Sequence, residues 1–252
     1  MPTQGLYKGL TRPGWQEYTP ELRGFGGTPV QPDLGNAFGY GRYLVKPSGL
    51  VTYQGGITFG STTSFGSGEQ VWGVRLPVPA NRSSGGADLP IGNAWAWQGT
   101  AASPQINVPL TPTLMDPITA GGGSQSNEDY YAQFFLPYLI AVGTNTIASG
   151  TTSVTVTHGL AAWTPAAYDI TIMPTATTTN NCLPFYVDTI DADSFNVNVK
   201  SNPGASGFAF SWKVRGEPNN SSTFDLLVNH QRPFVWGSGH TLAWNLTYEA
   251  RR

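Results

Sequence analysis

Acidic residues form the groups in this sequence that come closest to a catalytic arrangement. Asp188, Asp191 and Asp193 follow one another closely, and Glu128 directly precedes Asp129. Cleavage of a glycosidic bond uses two carboxyl groups about 5–10 Å apart, which such clusters could provide. Aspartate is also favoured in turns, and the first group lies between the end of one predicted strand and the start of the next. We therefore expect turn aspartates and predict that the chain is not an enzyme.

Histidine and cysteine are too scattered to form a recognisable metal site or nucleophile. His158, His230 and His240 occur without an HxH or HExxH pattern, and the aspartates lack the glycine and distal glutamate of a calcium-binding EF-hand loop. The single cysteine, Cys182, can form no disulfide within the chain and is most simply a small buried side chain. We expect His158 at a strand end and the other two histidines at the surface or in an interface. The sequence predicts neither a cofactor nor a metal.

Glycine and serine dominate residues 60–68, where a phosphate-binding loop could be considered. The segment has no GxGxxG pattern, no following Gly-Lys-Ser/Thr and no helix signal after it. A flexible hairpin tip is therefore the predicted structure.

Aromatic side chains are abundant, with 8 Trp, 11 Tyr and 12 Phe. Such rings either fill cores and subunit interfaces or stand exposed, where they can stack against sugars. Trp163 lies in a predicted loop and is the candidate ligand contact. Trp72 and Trp212 lie in alternating strands, and we expect both in the core.

Charge is scarce and evenly spread. Only 11% of the residues are charged, against about 25% in an ordinary soluble domain, and the net charge is −2. The basic residues form no stripe, which argues against nucleic acid as a partner. A neutral surface keeps copies apart poorly, so it suits a protein that is covered by neighbouring subunits.

The beginning of the chain and its hydropathy also restrict its location. The first residues lack the basic region and apolar run of a signal peptide, and no stretch approaches the roughly 20 apolar residues of a membrane span. We expect synthesis and assembly in a cytoplasm.

Helix signals are rare, because Gly and Pro interrupt most windows of a dozen residues. Residues 130–142 could be a capped helix or a strand, and residues 81–125 read as long loops with one or two short strands. Short, regularly spaced strands with turn residues between them predict sandwiches or barrels. The predicted strands are 42–46, 50–59, 71–78, 152–157, 167–174, 185–190, 194–199, 207–214, 223–229 and 242–249.

The predicted fold class is all-β, with two β-sandwich-like domains and an N-terminal arm rich in Gly, Pro and aromatic residues. Residues 1–41 are the extended arm, 42–143 the N-terminal β domain and 144–215 a Thr-rich β-sandwich. The strands in 216–252 either return to the N-terminal domain, which makes the Thr-rich sandwich an insertion, or pair with a neighbouring subunit, because two strands alone are marginal.

Several segments resemble structural proteins of tailed phages that infect actinobacteria, often described as minor tail proteins. The resembling segments are GRY at 41–43, GGITFG at 55–60, FGSG at 65–68, LPVP at 76–79, PFVW at 233–236 and TYEA at 247–250. Three further segments resemble a small β module of phage fibres: VTVTHGL at 154–160, SFNV at 194–197 and FSWKV at 210–214. These nine segments comprise 41 residues and are spread along the chain from Gly41 to Ala250.

The resemblance implies a virion protein with a β fold and no particular catalytic or binding residue. The expected function is that of a minor tail or fibre component which assembles with itself, as a homotrimer by preference, and with other virion proteins. A capsid-attached head fibre or decoration protein is one alternative. Another is a lectin-like adhesin that binds host cell-wall glycans through residues 144–215.

Overall fold

The computed structural model describes residues 14–26, 30–68, 71–81, 89–99, 106–115, 130–158, 169–175, 184–191, 193–216 and 227–251. These residues form fifteen β-strands and no α-helix. The predicted all-β fold class is confirmed. No helix in this part of the chain has the length and apolar character that crossing a membrane requires.

The chain forms two compact units; it begins in the first, continues through the second and returns to the first. Unit 1 comprises Met1–Ala101, Gln105–Pro137 and Leu226–Arg252, and unit 2 comprises Ala102–Pro104 and Tyr138–Asp225.

Unit 1 contains a nine-stranded antiparallel sheet in the order β1-β3-β4-β15-β6-β7-β8-β5-β2. Its strands are β1 (Gln16–Glu17), β2 (Leu22–Phe25), β3 (Phe38–Val45), β4 (Leu50–Thr58), β5 (Val71–Arg75), β6 (Gly92–Gln98), β7 (Ile106–Leu114), β8 (Tyr131–Phe135) and β15 (Thr241–Glu249). The C-terminal strand β15 lies between β4 and β6, so the last part of the chain completes the sheet that the first part begins.

Strand β7 turns the sheet of unit 1 back over itself. Residues 106–110 of β7 pair with β6, whereas residues 111–114 pair with β8. Aromatic rings fill the interior: Trp72 is fully buried and contacts Phe59, Phe65 and Trp236, with ring centroids 5.3–6.3 Å apart. The expectation that Trp72 belongs to the core is confirmed.

Unit 2 is a sandwich of two three-stranded antiparallel sheets. One sheet has the order β10-β13-β12 and the other β11-β14-β9. The strands are β9 (Leu139–Ile147), β10 (Ser153–Thr157), β11 (Ile170–Pro174), β12 (Phe185–Asp188), β13 (Ser194–Val199) and β14 (Phe208–Gly216). Phe195 on one sheet meets Trp212 on the other edge-to-face at 6.0 Å, and Trp212 is buried in the core as predicted.

Two of the predicted domain boundaries fall inside strands. Strand β3 runs through the predicted boundary at 41–42, and strand β9 runs through that at 143–144. Gly41 and Gly143 lie inside these strands, where an added Cβ would come within 2.6 Å of the Tyr18 carbonyl oxygen and 2.5 Å of the Trp212 ring, respectively. Glycine is present there because a larger residue does not fit.

The N-terminal segment is more regular than an extended arm. Residues 14–41 contain strand β1, which pairs with β3, and strand β2, which pairs with β5. The Gln31 side chain closes the free edge of β2: its amide accepts from the Gly24 N–H and donates to the Gly24 carbonyl oxygen, both at 3.0 Å. A covered edge of this kind is protected from pairing with other chains.

Three further predictions also change. The predicted hairpin tip at 60–68 pairs with the N-terminal segment through the bridges Val30↔Ser67 and Asp33↔Ser64. The ambiguous segment 130–142 is neither one helix nor one strand, since β8 ends before Pro137 and β9 begins after it. Of the predicted strand at 223–229, only isolated bridges at Leu227 and Asn229 are described.

Candidate ligand-binding face

The outer face of strands β3, β4, β15 and β6 in unit 1 carries side chains in three parallel rows. Residues that pair directly in an antiparallel sheet point to the same side, so the strand register defines each row. We call these twelve residues the aromatic face. The rows are Phe38, Thr58, Thr241 and Trp97; Tyr40, Gly56, Ala243 and Trp95; and Arg42, Gln54, Asn245 and Asn93.

Large rings form the two sides of this face. Phe38 and Tyr40 project from β3, and Trp95 and Trp97 project from β6, in each case two residues apart on one strand. Their exposed fractions are 68%, 51%, 42% and 40%, respectively. Strand spacing places the two sides about 14 Å apart at the backbone, because three strand-to-strand steps separate β3 from β6.

Small residues lie between these two sides, which we call the walls. Gly56 lies under the Tyr40 ring, since a Cβ at this position would come within 2.9 Å of Tyr40 Cε1. Ala243, its neighbour on β15, is a small residue on the floor between Tyr40 and Trp95. The result is a groove with a cavity volume of about 450 Å³, lined by Tyr40, Arg42, Gln54, Gly55, Trp95, Ala243, Trp244 and Asn245.

Polar groups line one end of the groove. There Gln54 Oε1 accepts hydrogen bonds from Arg42 Nε at 3.0 Å and Arg42 Nη2 at 2.8 Å, and Asn245 pairs with Gln54 in the register. In the row of the aromatic face beyond the groove, the hydroxyl oxygens of Thr58 and Thr241 are 3.0 Å apart. The groove therefore combines aromatic rings with amide groups, and hydroxyl groups lie in the next row, as small-molecule sites usually combine apolar and polar groups.

The aromatic face is close to electrically neutral. Arg42 is its one charged member, and its guanidinium also lies over the ring of Trp15, 4.6 Å from the centroid. None of the twelve residues is a carboxylate. The acid pair that glycosidic cleavage uses is thus not present among these twelve residues.

The core directly beneath the groove fixes its floor. Gly55 faces inward and is covered by Trp244, whose ring would lie 2.9 Å from an added Cβ. Trp244 in turn meets Tyr53 edge-to-face at 5.7 Å. Burial raises the pKa of Tyr53, so its phenol stays neutral at all ordinary pH values. A rigid apolar layer therefore supports the outer residues of β4 and β15.

The three aspartates that were considered as candidate acids lie in unit 2, whereas the aromatic face lies in unit 1. Asp188 ends β12, the Asp191 N–H donates to the Ser194 carbonyl oxygen at 2.8 Å, and the Asp193 carbonyl oxygen accepts from the His158 N–H at 2.8 Å. Their backbones close the turn between β12 and β13. The candidate ligand contact Trp163, together with Cys182, Glu128 and Asp129, lies outside the described residues.

Two histidines are more buried than the sequence suggested. His240, expected at the surface or in an interface, packs edge-to-face against Phe234 at 5.3 Å, and its Nδ1 accepts from the Gly237 N–H at 2.9 Å. His158 ends its strand as expected but is buried beside Phe195. Burial lowers the pKa of both imidazoles. Among the described residues, no three His, Cys, Asp or Glu side chains gather around a common point as metal ligands would.

Sequence reasoning missed the aromatic face although a signal for it exists. In β6 the inward residues are Ala94 and Ala96, and the outward ones are Trp95 and Trp97. Large rings on the outer side of a strand with alanines inside reverse the usual pattern, in which the bulky apolar residues face the core. Segment 81–125 was instead predicted as long loops with one or two short strands that were not located, so the alternation in β6 was not used.

Comparisons with known proteins gave no relative: no protein-family model, no curated protein and no solved structure matches this chain.

Proposed function

We propose that the chain is a non-enzymatic structural protein of a tailed-phage particle, a minor tail or fibre component, that assembles as a homo-oligomer and contributes to host-surface attachment. The aromatic face is the observation that carries this proposal. It places four exposed rings and neutral polar groups on a rigid sheet, which is an arrangement for binding rather than for catalysis.

The homo-oligomer is supported by the composition rather than by a described contact. With 11% charged residues and a net charge of −2, like-charge repulsion between copies is weak. The covered edge of β2, where Gln31 caps Gly24, argues for association through side chains rather than through added strands.

A lectin-like adhesin is the second candidate function, and the groove between Tyr40 and Trp95 favours it. The sequence predicts such an adhesin in residues 144–215, whereas the described rings that line a groove lie in unit 1. We therefore assign attachment to unit 1, and this assignment is compatible with a structural role in the particle.

The test of the structural role has two measurements. Light scattering of the full chain at micromolar concentration is expected to give a multiple of 26.9 kDa, with three copies as the preferred result. Antibodies raised against the chain are expected to label the tail or fibres of the phage that encodes it in electron micrographs. A stable monomer contradicts self-assembly, and unlabelled particles contradict the virion role.

A further inference from the structure

We propose that the groove between Tyr40 and Trp95 binds a linear chain of neutral sugars. This ligand class rests on the attachment function proposed above and specifies what the attachment site recognises. Four properties of the aromatic face support it: the ring-lined walls, the hydroxyl and amide groups, the low charge and the direction of the groove.

The walls offer stacking surfaces of the right kind. A sugar ring has apolar C–H faces that pack against aromatic rings, and its hydroxyl groups point outward around the edge. Tyr40 and Trp95 line the groove, and Phe38 and Trp97 lie in the adjacent row, with the centroids of Phe38 and Tyr40 6.3 Å apart. The rings are rigid and remain partly exposed, so little conformational entropy is lost when a ligand covers them.

The polar groups can satisfy sugar hydroxyls, which both donate and accept hydrogen bonds. Asn245 brings a side-chain amide with a donor and an acceptor, and Gln54, whose Oε1 already accepts from Arg42, brings its amide N–H groups; the two residues stand opposite each other in the register. Thr58 and Thr241 bring two hydroxyls in the row beyond the groove. On the floor between Tyr40 and Trp95, Ala243 adds no side chain large enough to block a sugar ring.

The low charge of the aromatic face favours a neutral sugar chain over an anionic one. Arg42 is the one charged residue of the face, and its guanidinium is already bonded to Gln54 Oε1 and stacked on Trp15. A sulfated or phosphorylated chain would need several cations along its length, and the three rows provide one. A neutral chain needs none.

The direction of the groove favours a chain rather than a single sugar. Its walls stand on β3 and β6 and its floor on β4 and β15, so it runs parallel to the strands. The three rows follow one another at about 7 Å, the length of two strand residues. Successive sugar units can therefore meet successive rows.

The experiment uses the intact chain and a panel of soluble polysaccharides. Affinity electrophoresis and isothermal titration are carried out with a neutral glucan, mannan, galactan and arabinogalactan, and with dextran sulfate as the anionic counterpart. We expect saturable binding to at least one neutral polysaccharide and none to dextran sulfate at physiological salt.

Two variants test the groove itself. Trp95→Ala removes one wall and is expected to weaken binding at least about tenfold. Ala243→Phe fills the floor and is expected to weaken it as much while every wall remains. Tyr186→Ala is the matched control: it removes a ring that is 56% exposed on β12 of unit 2, and binding is expected to stay unchanged. Circular dichroism and melting curves check that all three variants fold.

Each possible result bears on the proposal. Absence of binding to every neutral polysaccharide overturns it, as does binding that survives both Trp95→Ala and Ala243→Phe or that prefers dextran sulfate. If the chain binds no sugar and Trp95→Ala turns an oligomer into a monomer, the face is a contact between copies: the sugar ligand is then wrong and the structural role stands. If sugar binding follows the expected pattern but antibodies do not label the particles, the ligand is right and the virion role is wrong.

Discussion

The two units share one packing device inside and differ in what they present outside. In unit 1 Trp244 lies over Gly55 of the neighbouring strand, and in unit 2 Trp212 lies over Gly143 in the same way. In each pair the missing side chain of glycine makes room for the large ring. These two strand glycines therefore contribute to the core packing rather than to turns.

The outward-facing side chains of the two units, by contrast, are of different kinds. In unit 2 the outward residues of β13 are Ser194, Asn196 and Asn198, and Thr155 donates a hydrogen bond to Asn196 at 2.7 Å. In unit 1 the outward residues of β6 include Trp95 and Trp97. Short polar side chains suit contact with water, whereas exposed rings gain stability when something covers them. Among the described residues, the exposed rings that share one face therefore lie in unit 1.

The largest expected effect comes from removing the two core tryptophans. Trp244→Ala and Trp212→Ala each delete a buried ring and leave a cavity, so each is expected to lower the free energy of unfolding by about 3–5 kcal/mol. Urea unfolding measures the loss. Trp95→Ala on the outer face is the control and is expected to change stability by no more than about 0.5 kcal/mol. Equal losses for Trp95 and Trp244 would contradict the assignment of the two faces.

A smaller effect is expected when a methyl group is added to the glycines. An added Cβ would lie 2.5 Å from the Trp212 ring at Gly143 and 2.9 Å from the Trp244 ring at Gly55. Gly143→Ala and Gly55→Ala are therefore each expected to cost about 1–3 kcal/mol through overpacking, as measured by urea unfolding.

A double-mutant cycle distinguishes the two glycine sites. Trp212→Phe should relieve Gly143→Ala, giving a coupling of about 0.5 kcal/mol or more, because the ring is the obstacle there. Trp244→Phe should not relieve Gly55→Ala, since the Tyr40 carbonyl oxygen also lies 2.9 Å from the added Cβ and cannot move away. Equal rescue at both sites would show that the ring alone sets the cost.

Alternation and turn chemistry in the sequence were enough to predict most of unit 2 and the central strands of unit 1. The pattern in 194–199 matches β13, and 50–59 and 242–249 match β4 and β15 to within a residue. These segments place apolar residues on one face and polar residues on the other, which is the signal that periodicity detects.

The remaining elements depend on partners that are distant in the chain. Residues 38–41 were predicted to belong to the N-terminal arm, yet they form the first half of β3, where Pro20, Tyr18 and Tyr53 fill the space beside Gly39 and Gly41. The aromatic face unites four strands that span residues 38–245, so no local window contains it. Residue types could suggest rings for stacking, but only the register showed which rings share a face.

Acidification is expected to destabilise the protein through a buried histidine in each unit. Burial lowers the folded-state pKa of His240 in unit 1 and of His158 in unit 2, and for His158 the Asp191 and Asp193 groups oppose the shift. A lowered pKa means that the folded state prefers the neutral imidazole. The contribution is fully present above the unfolded pKa of about 6.5 and is lost as pH falls through the folded value.

Melting temperatures at pH 7.5 and pH 5 measure this dependence. His240→Gln keeps an acceptor for the Gly237 N–H but cannot be protonated, so its melting temperature should fall less between the two pH values than that of the wild type. His158→Gln should do the same for unit 2, by a smaller margin because the two aspartates oppose the effect. A steeper fall in either variant would contradict the stated direction.

The smallest expected effect concerns the ion pair between Glu21 and Arg75 in unit 1. Glu21 Oε2 is 2.7 Å from Arg75 Nη1, but both side chains are nearly half exposed, at 47% and 48%. Water and salt screen such a pair, and the two long side chains lose entropy when they are held together. Glu21→Gln is therefore expected to lower the free energy of unfolding by less than about 1 kcal/mol, with a smaller loss in 0.5 M NaCl.

Urea unfolding at two salt concentrations measures that loss, and Glu249→Gln on the exposed side of β15 is the control. Glu21 also accepts a hydrogen bond from the Tyr131 hydroxyl at 3.3 Å, which glutamine can still accept, so the variant isolates the charge. A loss as large as that from Gly55→Ala would mean that ionic contacts hold unit 1 together as strongly as its rings do. The sparse charge of the chain and the dense ring packing around Trp72 and Trp244 argue for the opposite order.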